Sequence, residues 1–187
     1  MKKILRNIFK KKSQIKDEKY TKIVLPKIRK FSEIIKSKKN ISFLHNGHLG
    51  DIINCLPVIK ELSKNKTCDL YIQKNQKISK DVISREGSVG TVYLKEQAIF
   101  KLLPLLKNQQ FINKVEVFES QNIDIDLNFF RELPINFNID SVRWYFHLTG
   151  CFPDLSKQYL EVTPSEKYTD YVVIMRSLRR QNKFIDY

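Results

Sequence analysis

The sequence predicts an α/β domain built on a parallel sheet, and three observations carry that expectation. Short apolar runs of strand length alternate along the chain with longer runs of helical period, from residue 41 onward. The first of these strands is joined to its helix by a glycine turn, "HNGHLGD". The apolar fraction, 42% of 187 residues, suffices for the core of one domain of ordinary size. Alternation of this kind places strands side by side with helices packed over them.

Residues 1–12, "MKKILRNIFKKK", set Ile4, Leu5, Ile8 and Phe9 on one face of a short basic amphipathic helix. Residues 27–39 predict a second amphipathic helix, with Ile28, Phe31, Ile34 and Ile35 as its apolar stripe. Ile41–Leu44 reads as a buried strand. Asp51–Ser63 reads as a helix with Ile52, Cys55, Leu56, Ile59 and Leu62 on one face. Pro57 falls inside that run, where a proline costs about 3 kcal/mol, so an irregular or kinked start is expected. Asp69–Ile72 is the second strand, and Thr91–Leu94 a short one after the loop "REGSVG". Glu96–Leu106 is a helix interrupted by Pro104. Val115–Phe118 and Asp124–Leu127 are further strands, and Ser141–Leu148 a helix ending near Gly150. Tyr171–Met175 is a last apolar strand, followed by "RSLRRQNKFIDY".

The formal charge of +14 is uneven. Residues 1–40 carry 15 Lys and Arg against 3 acids, a net of +12, and residues 41–187 carry 19 against 17, a net of +2. A nearly neutral body argues against a nucleic-acid-binding core, which would wear its own basic face. A basic arm fits an anionic surface such as a membrane, and equally a solubilising tail. No run of 18 apolar residues is present, and the N-terminus lacks a small-residue cleavage site. Cys55, Cys68 and Cys151 form no CxxC pair, so neither a disulfide framework nor a zinc site is suggested. A reducing, cytoplasmic setting fits, with peripheral attachment to the inner face of a membrane as an option.

The chemistry gathers at "NGHLGD". Gly47 and Gly50 permit positive φ and close backbone approach, and the amides that open the following helix suit an anion. In open α/β sheets ligands bind beyond the carboxyl ends of the strands, where this loop belongs. Asp51 could cap the helix, worth about 1 kcal/mol, or point into the cleft as a general base. The dinucleotide fingerprint GxGxxG is absent, and so is the P-loop lysine. His45, His48 and Asp51 recur every third residue but lack a second ligand cluster, so no metal is expected there. Asp124 and Asp126 could form a Mg²⁺ pair, and Trp144, Tyr145 and Phe146 could pack in the core or stack on sugar.

"NGHLGDIINCLPVIKELSKN" resembles the opening motif of heptosyltransferase-like family-nine glycosyltransferases. There a first strand leads into a Gly-Asp pair, an apolar stretch, a proline and a leucine-bearing helix. Gly50, Asp51, Pro57, Ile59 and Leu62 stand in that order here. "LLPLLKNQQFINKVEVF" and "IDIDLNFFRE" resemble the middle of the same domain, and the resemblance covers residues 41–180. It implies a GT-B fold, two Rossmann-like domains facing across a cleft. Residues 1–40 would be a basic leader, helical or disordered. Residues 41–168 would be the Rossmann-like acceptor-side domain, and 169–187 the start of a truncated donor domain. It also implies that Asp51 takes a proton from an acceptor hydroxyl, which attacks a sugar nucleotide with inversion. Gly47 and Gly50 would leave room for the sugar or diphosphate, His48 would line the loop, and Arg131 would be a surface or acceptor-groove residue, while Ser177, Arg179, Arg180 and Lys183 would approach the donor diphosphate or form a basic C-terminal tail. The sugar nucleotide is a substrate, and no cofactor is implied. The acceptor would be a membrane-associated glycan such as a lipopolysaccharide core. A separate chain could supply the donor half. A non-catalytic glycan- or partner-binding module of the same fold is the alternative.

Overall fold

A computed structural model describes residues 18–78, 92–133 and 140–162. The expected strand Tyr171–Met175 and the helix over 1–12 lie outside these residues.

Strand β1 spans Asn40–His45, β2 Thr67–Ile72, β3 Lys114–Val117 and β4 Ile125–Asp126. They form one sheet in the order β3-β2-β1-β4, and every pairing is parallel. The register runs from Asn40 opposite Thr67 to His45 opposite Ile72, and Phe43 and Leu44 face Ile125 and Asp126 on the other side. After stepping outward from β1 through β2 to β3, the chain returns to the far side of β1. The order therefore reverses between β1 and β4. A parallel sheet whose strand order reverses opens a crevice at the reversal, at the carboxyl ends of the strands. The fold is α/β and Rossmann-like, as the apolar spacing predicts.

Helix α1 is Leu25–Ser37, continued at its start by a π-helical turn over Tyr20–Val24; α2 is Leu49–Ser63, α3 Glu96–Lys107 and α4 Val142–Thr149. Val24 and Phe31 are each 1% exposed and join the same core as the strands. Phe31 also meets Phe129 edge-on, with centroids 6.1 Å apart. Burying a phenylalanine side chain in this way stabilises by about 1.5–3 kcal/mol. The helical part of the basic leader is thus packed against the sheet domain.

Helix α2 runs without interruption through Pro57, whose side chain is buried. The proline withholds an amide hydrogen from the carbonyl of Ile53, and burial of its ring offsets part of that loss. α2 begins at Leu49, two residues before the expected Asp51. Pro104 is likewise carried inside α3. Gly150 ends α4 in the left-handed region, φ +69°, where glycine pays no Cβ penalty. No strand forms over the described part of 91–94; Val92 makes an isolated antiparallel bridge to Lys77. Trp144 stacks on Phe130 at 5.2 Å, and Tyr145 and Phe146 are buried in the core, so this aromatic run packs the interior.

Candidate functional site

The site lies at the carboxyl ends of β1, β2 and β4, where the strand order reverses. β1 ends in His45, which is fully buried. Its Nδ1 accepts the amide of Gly47 at 2.9 Å, so the ring proton resides on Nε2. Nε2 then donates to the Tyr145 hydroxyl at 2.7 Å, and that hydroxyl donates to the Asp51 carbonyl at 2.9 Å. Each member of the chain has one donor role and one acceptor role filled. The network pins the first turn of α2 to the end of β1 and to α4. Burial, reinforced by the nearby Arg131 charge, holds the His45 pKa well below its usual 6.5. Burial likewise pushes the Tyr145 phenol well above its usual range.

The close turn depends on Gly47. A Cβ there would lie 2.6 Å from His45 Cε1 and 2.7 Å from both Cβ and Oδ2 of Asp51. The need is for space, since neither Gly47 nor Gly50 has positive φ. Gly50 faces the opposite circumstance, with no atom within 4 Å of a Cβ placed on it. It is exposed on the outer side of the first turn of α2, beside Leu49, which is 43% exposed.

Asp51 occupies the third position of α2, and its Oδ2 accepts the amide of His48 at 3.0 Å, as in a capping box. The same oxygen lies 3.4 Å from Arg131 Nη2. Oδ1 has no hydrogen-bond partner among the described residues. Burial raises the carboxyl pKa above 3.8, opposed by the Arg131 charge, the His48 amide and the His48 charge. The two side chains are 19% and 8% exposed, Asp51 and Arg131 respectively.

Arg131 comes from the 3₁₀ helix Leu127–Glu132 that follows β4. Its guanidinium sits 4.1 Å from the Tyr93 ring centroid and 4.4 Å from that of Phe130. Nη1 reaches Asn128 Oδ1 at 3.3 Å and Asn46 Oδ1 at 3.5 Å, and buried Nε has no partner among the described residues. These contacts are long, at the outer edge of hydrogen bonding. Asn46 donates its amide to Asn128 Oδ1 at 2.7 Å and its side-chain nitrogen to Gln73 Oε1 at 3.2 Å. Asp126 in turn accepts from the Asn128 amide and side chain at 3.0 and 2.7 Å. One polar cluster thereby joins the ends of three strands.

Gly47, His48, Gly50, Asp51 and Arg131 are brought together at this rim. His48 meets Tyr93 edge-on at 5.4 Å. Ser177, Arg179, Arg180 and Lys183 lie outside the described residues. Sequence reasoning did not single out Asn46, Asn128, Gln73 or Tyr93, and for Tyr145 it offered core packing or sugar stacking but no hydrogen-bonding role. Asn46 abuts the glycine turn, the one local signal that pointed to it. Asp124 accepts from Lys38 Nζ and from the amide and hydroxyl of Ser42. Its burial favours the neutral acid, but those partners outweigh it and lower its pKa. With Asp126 committed to Asn128, the two acids serve separate backbone turns. Among the described residues no three His, Cys, Asp or Glu side chains gather as a metal site.

The titrations have opposite signs. His45 is depressed in the folded state, so the unfolded chain binds the extra proton and stability falls as pH drops below about 6.5. The slope reaches about 1.4 kcal/mol per pH unit. Asp51 is raised, so its contribution is lost as pH climbs from 3.8 through the folded value. With the opposing titration removed in Asp51→Asn, denaturant midpoints should fall with acidification between about pH 7 and pH 5, while imidazole NMR keeps His45 neutral. A His45 ring that titrates near 6.5 would contradict this.

No family model, curated protein or solved structure matches the chain.

Proposed function

We propose that the chain is the acceptor-side domain of a heptosyltransferase-like glycosyltransferase, with Asp51 as general base. Sugar would pass from a sugar nucleotide to a glycan carried at a membrane, with inversion at the anomeric carbon. The observation that supports this most is the carboxylate at the strand-order reversal, with Oδ2 fixed by His48 and Arg131 and Oδ1 left open. A base fixed through one oxygen is aimed without being consumed, and a pKa raised by burial strengthens it. Arg131 opposes the effect of burial and favours the ionised carboxylate. The open space beside Gly50 would leave a sugar or phosphate group free to approach the α2 amides. The donor diphosphate falls to Ser177, Arg179, Arg180 and Lys183 and to a donor-binding half.

A non-catalytic glycan- or partner-binding module is favoured by one contact, the commitment of Asp51 Oδ2 to its own helix. Asp51→Asn separates the two readings, because an asparagine oxygen still accepts the His48 amide. The source organism lacking this gene is complemented with wild type or Asp51→Asn, and incorporation of mass-tagged sugar into its glycolipids is measured. Wild type should restore transfer, and the variant should lose about 10²–10⁴-fold in rate. Full restoration by the variant at equal protein level would remove Asp51 as base and leave the binding module.

A further inference from the structure

The segment 18–39, helical as far as Ser37, carries 8 Lys and Arg against Glu18 and Glu33, a net of +6 within 22 residues. Its inner side is committed to the fold, since Val24 and Phe31 are buried in the core and Ile28, Ile34 and Ile35 pack against it. The outer side is exposed and carries Lys19, Lys22, Arg29, Lys30 and Lys36. Arg29, Lys30 and Lys36 form no ion pair among the described residues. Among these cations Ile23 stands out from the surface, 55% exposed. A single exposed apolar side chain is ordinary on a surface, and here it is the setting among cations that suits an anionic lipid boundary.

Lys19 Nζ pairs with Glu132 at 2.6 Å, and Glu132 follows Arg131 in the 3₁₀ helix. The Ile23 end of the basic face therefore lies at the same end of the sheet as Asp51. Leu49, the other exposed large apolar side chain beside the turn, is at that end too.

We infer that the outer face of this helix, from Lys19 to Lys36, docks the domain on an anionic lipid surface, with Ile23 entering the headgroup–acyl boundary. Charge complementarity supplies the attraction, about fivefold in affinity for each basic residue near an anionic leaflet. Ile23 decides between lipid and nucleic acid. An isolated aliphatic side chain gains by leaving water for the acyl boundary, whereas a nucleic-acid backbone rewards only the cations. Docking through this face would hold the Asp51 rim near the bilayer, where a lipid-borne acceptor is presented. The binding itself does not depend on Asp51 being a base.

The test is co-sedimentation of the full chain with vesicles of phosphatidylcholine alone or mixed with phosphatidylglycerol. Wild type should bind the mixed vesicles, less at high salt, and ignore the neutral ones. The triple variant Arg29→Glu/Lys30→Glu/Lys36→Glu should lose more than tenfold in affinity, and Ile23→Asp should weaken binding where Ile23→Leu retains it. All these positions are exposed, and circular dichroism checks that the variants fold. Asp51→Asn should bind vesicles like wild type, so failure here is separable from failure of the transferase reading. Unchanged vesicle binding by the triple variant would overturn the inference. So would binding to duplex DNA or RNA that exceeds vesicle binding and is indifferent to Ile23→Asp.

Discussion

Arg131→Leu should destabilise the protein by about 3 kcal/mol at neutral pH, and most of that loss should disappear in Asp51→Asn/Arg131→Leu. Coulomb attraction in the native pair is modest, since the closest approach is 3.4 Å. The larger cost comes from what the substitution leaves behind, a mostly buried carboxylate without its cation. Burial already raises the Asp51 pKa, and Arg131 is the first of the groups that pull it back. Without the guanidinium the acid would titrate higher still. The sign of the pH effect follows. At low pH the variant's Asp51 is protonated and the destabilisation shrinks; at pH above the raised value the full penalty appears. Urea denaturation of wild type, both single variants and the double variant, at acid and neutral pH, measures the coupling. A double variant as unstable as Arg131→Leu alone would show that the arginine acts through its stacking on Tyr93 and Phe130.

The same pair marks where sequence reading stops. Local pattern sufficed for β1, α2, β2, α3 and β3, because each carries its own period and its own buried stripe. It sufficed for the location of the rim, because a glycine turn after the first strand of an α/β chain sits at the carboxyl end of the sheet. It failed on Pro57, where burial in the core prevails over the lost hydrogen bond. It also failed on the partners of Asp51. Arg131 lies 80 residues away, and Tyr145 bonds the Asp51 carbonyl across 94 residues. Contacts at such separations follow from which strands become neighbours, and β4 returns to β1 only once the sheet is assembled. Asn46 and Asn128 illustrate the point, each an ordinary turn asparagine until strand pairing sets one amide against the other's oxygen.

Gly47→Ala and Gly50→Ala should part company, although both change one glycine of one motif. At 47 the new methyl would stand 2.6–2.7 Å from His45 and Asp51, and neither neighbour has room to yield. His45 is fully buried and bonded at both nitrogens, and Asp51 is held by the His48 amide and Arg131. Relief requires breaking the turn, at about 1–3 kcal/mol, the range for overpacking a well-filled interior. Misplacement of the carboxylate should come with it. At 50 the methyl meets nothing within 4 Å. Exchange of glycine for alanine inside a helix then stabilises by up to about 1 kcal/mol. Thermal unfolding should thus move down for Gly47→Ala and up, or not at all, for Gly50→Ala. The second variant is the sharper probe of function. If it is stable yet loses sugar transfer, the space beside position 50 is where substrate comes closest to the backbone. If it is stable and fully active, the ligand does not approach α2 from that side, and Gly50 has no role that alanine cannot fill.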